Sequence, residues 1–107
     1  MVVNQYEIVL VNLDPTLGSE IQKTRPCVVI SPNELNHHLR TVVIAPMTTK
    51  THPYPTRVQV MHNQQAGWVV IDQIRTIDKV RIIKTLGALD ASEIAACKVV
   101  IKEAFVD

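Results

Sequence analysis

Three groups of polar residues in this sequence have the types and spacing that chemistry requires. Glu20, Lys23, Thr24 and Arg25 crowd into GSEIQKTRP, between two apolar runs. Thr48, Thr49, Lys50 and His52 follow directly on the apolar run TVVIAPM. Asp72, Gln73, Arg75, Asp78 and Lys79 come at and after the end of a third. A guanidinium holds phosphate oxygens in a bidentate fork, and lysines and hydroxyls add further contacts, so the combination suits a phosphodiester. Glu20 and His52 are the candidates for moving protons. On residue types alone the same groups also suit ordinary solvated strand ends, and that alternative stays open here.

Several chemistries are absent from the sequence. It has no GxxxxGK[ST] loop, GxGxxG, HExxH or GxSxG, which removes nucleotide-loop, zincin and hydrolase-elbow mechanisms. His37 and His38 lack a third ligand at useful spacing and read as exposed loop residues. Cys27 and Cys97 stand far apart, outside any CxxC pair. They read as small buried hydrophobes of a reducing compartment, so neither a metal site nor a cofactor is expected. With a formal net charge of +1, nucleic-acid binding would need a local basic patch. No apolar run reaches the ~18 residues of a membrane span, and MVVNQYE does not resemble a secretory signal. A cytoplasmic protein without a membrane anchor is the expectation.

The elements that must position these groups are short. Residues 6–13, 26–31, 41–47, 56–60, 66–74 and 81–89 read as strands rich in Val and Ile. Residues 31–39 open on Ser-Pro-Asn and suggest a brief helical turn, while THPYP at 51–55 reads as a loop. The period changes at residue 90. Ile94, Cys97, Ile101, Ala104 and Phe105 recur at helical spacing, and Asp90 with Glu93 forms a capping-box pattern. The 107 residues fit one domain, mainly β with a C-terminal helix: a barrel-like α+β fold.

The run LDPTLGSEIQKTRPCVVISP closely resembles the hallmark of the MazF/PemK family of toxin ribonucleases, in which a Pro…Gly-Ser-Glu loop leads to Arg-Pro and a Val-rich strand. TVVIAPMTT is similar to that family's second signature, an apolar strand ending in Thr, and IDQIRTIDK to its third. The three occur in family order and extend the resemblance over nearly the whole chain.

The resemblance implies an SH3-like barrel (CcdB/PemK-like) of about five to seven strands, acting as a homodimer. It implies sequence-specific, metal-independent cleavage of single-stranded RNA. The family's catalytic Arg and Thr fall on Arg25 and Thr48, with Thr49 as the fallback, and the loop carboxylate falls on Glu20. Lys23, Thr24, Lys50 and His52 are the neighbouring candidates for substrate contact, with Gln73 and Arg75 as base readers. Some members carry His immediately before the catalytic Arg, where this chain has Thr24. The expected partners are single-stranded RNA and a small acidic or partly disordered antitoxin. Residues 14–25 and 66–79 are the expected dimer segments. The same barrel also serves toxins that poison a topoisomerase by binding alone, the CcdB type, which is the alternative reading.

Overall fold

The computed structural model describes residues 2–13, 24–50 and 54–106. Glu20, Lys23 and His52 therefore lie outside the described residues. Those described form seven strands: β1 (Glu7–Asn12), β2 (Thr24–Val29), β3 (Thr41–Thr48), β4 (Arg57–His62), β5 (Gln65–Val70), β6 (Arg75–Asp78) and β7 (Ile82–Ala88). A short helix α1 (Asn33–Asn36) and a long one, α2 (Ala91–Phe105), complete them. The strands make a curled half-barrel in the order β4-β5-β3-β2-β1-β7, with β6 also paired to β3. Register shifts between β1 and β7, at Ile8/Val9 and Leu10/Val11, are the irregularities that help bend the sheet.

Why the strands read as nearly continuous apolar runs follows from the packing. Val28, Ala45, Met47, Val58, Val60 and Val69 join the core beneath α2. Cys27, Val29, Val42, Ile44 and Ile77 turn the other way into a second cluster. Much of the sheet is thus buried on both faces, which suppresses the polar alternation of a one-sided sheet.

Helix α2 starts where the sequence places it. The Asp90 carboxylate accepts from Glu93 N at 2.8 Å, and Glu93 Oε1 accepts from Asp90 N at 2.9 Å. Ile94, Val100 and Ile101 pack on the core beside the buried Cys97. The predicted apolar stripe falls short at its end, because Phe105 stays 54% exposed. The other oxygen of Glu93, Oε2, accepts from Met61 N at 2.7 Å and ties the helix to β4.

Two sequence expectations change. The strand predicted over 66–74 ends at Val70, and Ile71–Gln73 forms a 3-10 turn. Ile71 N donates to Thr56 O, and Asp72 accepts from the Thr56 hydroxyl at 2.9 Å, so the bend is held from across the sheet. Beyond it lies β6, a strand the sequence reading did not contain, because RTID has only Ile77 buried.

Candidate active site

The site originates in a break between two strands. The β2–β3 ladder pairs Val29 with Ile44, Val28 with Ala45 and Cys27 with Pro46, and goes no further. The next residue of β2 is Pro26, which has no N–H to offer. Past Pro46, β3 turns to β5, pairing Met47 with Val69 and Thr48 with Trp68. Continued by two residues, the β2–β3 register sets Arg25 opposite Thr48, with no ladder bonds between them. Alternation fixes direction as well. Cys27 and Ile44 both face the second core cluster, so Arg25 and Thr48 project to that side, as does Arg75, two residues before Ile77.

Two clefts meet at this break. The larger, about 510 Å³, runs from Thr24 and Arg25 past Thr48, Thr49 and Lys50 to the β4–β5 hairpin. The smaller, about 330 Å³, lies between Leu13, Arg25, Arg57, Gln73 and Arg75. Arg25, Met47, Thr48 and Lys50 line both. A linear chain lying across the junction would place one unit in each cleft and the link between them at Arg25 and Thr48.

The smaller cleft is strongly cationic. Arg25, Lys50, Arg57 and Arg75 line it, and none of the lining residues is acidic. Arg57 is held on two sides: its guanidinium lies 5.0 Å from the Tyr54 ring centroid, and its Nε lies 3.9 Å from Asp72 Oδ1 without a hydrogen bond. Its side chain is only 13% exposed, so the charge is restrained at the cleft wall and not swept through solvent. Burial pushes the Cys27 thiol up to about 12, against the opposing pull of the Arg25 and Arg75 charges.

Every described member of the sequence-predicted site is in one cleft or the other. Thr24, Arg25, Thr48, Thr49 and Lys50 line the larger, and Gln73 and Arg75 the smaller. Asp78 and Lys79, members of the third polar group, serve the scaffold. Asp78 accepts from Val80 N at 2.9 Å, and Lys79 donates to the carbonyl of Asn36. His37 and His38 are exposed, as read, and bond to Asn4 Oδ1 and to the carbonyl of Glu34.

Three polar lining residues were not read from the sequence: Arg57, His62 and Gln65. Arg57 opens a strictly alternating strand at a polar position, which looked like plain surface. The hairpin joining β4 to β5 turns on Asn63 and Gln64, both at positive φ (51° and 62°), without the glycine that usually marks such a turn. Asn63 was the one turn signal in the pair, and Gln64 gave none.

Comparison with known proteins bears on the family and the fold. Residues 4–105 match the family model described as PemK-like, MazF-like toxin of type II toxin-antitoxin system. Over 71 residues the chain is 34% identical to the endoribonuclease toxin MazF of Escherichia coli, covering 66% of this chain and 64% of that protein. The match thus spans just under two thirds of that relative's length. It is 29% identical over 96 residues to endoribonuclease EndoA of Bacillus subtilis, covering 84% of this chain and 83% of that one. Its fold is similar to a chain of the MazE-MazF crystal structure (Form-II) from Deinococcus radiodurans, with a TM-score of 0.85 and 25% identity over 96% of this chain and 95% of that one.

Proposed function

The chain belongs to the PemK-like, MazF-like toxin family of type II toxin–antitoxin systems, and from that premise we propose that it is an endoribonuclease cutting single-stranded RNA at the Arg25–Thr48 junction. The observation that carries the proposal is that Arg25 and Thr48 both line the junction where a cationic cleft meets a larger one. The names of the relatives, endoribonuclease MazF and endoribonuclease EndoA, support it.

The RNA supplies its own nucleophile. Its 2′-oxygen bonds to phosphorus as the proton leaves for a base, for which Glu20 is our candidate. The phosphorane then collapses, the bond to the 5′-oxygen breaks, and that oxygen takes up a proton. The products are a 2′,3′-cyclic phosphate and a 5′-hydroxyl. Arg25 keeps its charge throughout, so it acts by holding the phosphorane oxygens, and the departing 5′-oxygen takes its proton from water. Thr48 donates to a non-bridging oxygen. Arg57, Arg75 and Lys50 guide the adjoining phosphates. Arg75 is assigned there and not to a base because it shares the smaller cleft with three other cations, while Gln73 stays the base reader of that cleft.

A small acidic or partly disordered antitoxin fits the same reading, since a peptide of that charge would compete for the cationic cleft. The similar fold found in a MazE-MazF structure supports such a partner. Among the described residues no helix is long and apolar enough to cross a membrane. The comparisons bring no support for the topoisomerase-poison alternative, as the relatives are named endoribonucleases. Incubating the pure protein with a defined single-stranded RNA in EDTA tests the proposal. Discrete cuts ending in cyclic phosphate are expected; intact RNA, or cutting only after magnesium is restored, would overturn it.

A further inference from the structure

The larger cleft differs from the smaller in what it offers a ligand. Beyond the shared junction its far wall is the β4–β5 hairpin, where His62 pairs with Gln65 across the ladder. Along β4 the helix-facing row runs Val58, Val60 and then His62; along β5 it runs Val69, Gly67 and then Gln65. Both apolar rows therefore end in a side chain able to donate and accept hydrogen bonds, and the two ends are side by side.

Gly67, between them and the junction, also lines the cleft. Its φ is not positive, so its backbone does not require glycine. A Cβ at Gly67 would stand 3.5 Å from the carbonyl oxygen of Thr48 and 3.9 Å from Met47 Cε. Both are ordinary contact distances, so a methyl group would fit there.

The wall is tied to the rest of the fold: the N–H of Met61, beside His62, donates to Glu93 of α2. An imidazole can stack on an unstacked base, and a carboxamide can bond its edge; single-stranded RNA is read by these two contacts. The four cations of the smaller cleft suit phosphate, whereas this wall suits a base.

We infer that His62 and Gln65 read one base adjoining the scissile phosphate, seated over Gly67 in the larger cleft. This rests on the nuclease reading above and assigns it a specificity element.

The test is to digest a random-sequence RNA pool and read the bases flanking every cut. Gln65→Glu keeps the shape and replaces a donor with an acceptor, so it should shift the preference at one flanking position about tenfold. His62→Ala should relax selection at that same position, while both proteins still cut. If wild type cuts but its motif survives unchanged in both variants, or the two change different positions, base reading by this wall is wrong. Loss of all cutting by variants that still melt cooperatively would place the pair in the chemistry and also overturn the inference. A wild-type protein that cuts no RNA would overturn the nuclease reading itself, and this inference with it.

Discussion

The backbone N–H of Lys50 donates to the hydroxyl oxygen of Thr48 at 3.2 Å. That bond occupies one lone pair of the oxygen from the chain side and leaves its proton to be donated into the clefts. The turn after β3 thus holds the Thr48 hydroxyl from one side and leaves its proton free to donate, in the same clefts that Arg25 lines. Thr48→Ser should keep most of the cleavage rate. Thr48→Val, which preserves shape and removes the donor, should lower kcat by about 10²–10³, the usual cost of losing a bond to a developing oxyanion. Single-turnover kinetics on a short RNA would measure it; a fully active valine variant would remove Thr48 from the chemistry.

Arg25→Ala should abolish detectable cleavage while leaving the melting curve nearly unchanged. Arg25 is exposed at the start of β2, paired with Val11 of β1 but past the last rung of the β2–β3 ladder, and such surface positions usually change stability by within about 0.5 kcal/mol. Arg25→Lys should not restore the rate, because an ammonium is a point charge and cannot fork two phosphorane oxygens. A lysine variant with wild-type turnover would show that charge alone suffices.

What could be read from the sequence depended on how local each signal was. Arg25 was legible because Arg-Pro ties a charged side chain to a strand that must lose a ladder bond at the next residue. Thr48 was legible because an apolar run visibly ends there. The capping box of α2 is a three-residue pattern and was found in place. By contrast, β6 is held by pairing to β3, thirty-odd residues earlier in the chain, which no local pattern reveals. Arg57 and His62 enter the site only because the sheet curls, bringing β4 and β5 round to the end of β3. Their residue types fit surface positions equally well until that curvature is known.

RNA binding should weaken steeply with salt. For single strands, log K falls with log salt by about 0.7 for each phosphate neutralised. Arg75→Gln and Arg57→Gln should each weaken binding of all sequences alike and reduce that slope by about one contact's share. Fluorescence anisotropy across a salt series, using the Arg25→Ala protein so that the RNA stays intact, would measure both slopes. A variant with lower affinity at unchanged slope would place its arginine on a base, not on a phosphate.

Stability should fall in acid partly through Asp90. The N–H of Glu93, and next the hydroxyl of Ser92, hold its carboxyl below the ordinary carboxylate range. A depressed folded-state pKa adds stability above the unfolded value, near about pH 4, and that contribution is lost as pH falls through the folded one. Asn caps helices about as well as Asp. Asp90→Asn should therefore melt close to wild type at pH 7 yet show a flatter decline below pH 4, whereas Asp90→Ala should melt lower throughout. Equal acid slopes in wild type and the Asn variant would rule out a titrating cap.

The last expectation concerns assembly. Along the path β4-β5-β3-β2-β1-β7 the outer strands are β4 and β7, and both carry exposed apolar side chains. Met61 on β4 is 59% exposed, Ile83 on β7 is 50% exposed, and Val80 just before β7 is 83% exposed. Open edges bearing apolar groups invite pairing, and a closed two-fold dimer is the commonest way to satisfy them. We expect a homodimer at micromolar concentration, with its RNA groove running across both copies and segments 14–25 and 66–79 near the contact. Sedimentation would give the mass, and mixing Arg25→Ala with Thr48→Val subunits would test sharing. Recovered cutting in the mixture would mean that one protomer completes the site of its partner. A monomer with full activity at every concentration would confine the Arg25–Thr48 chemistry to a single chain.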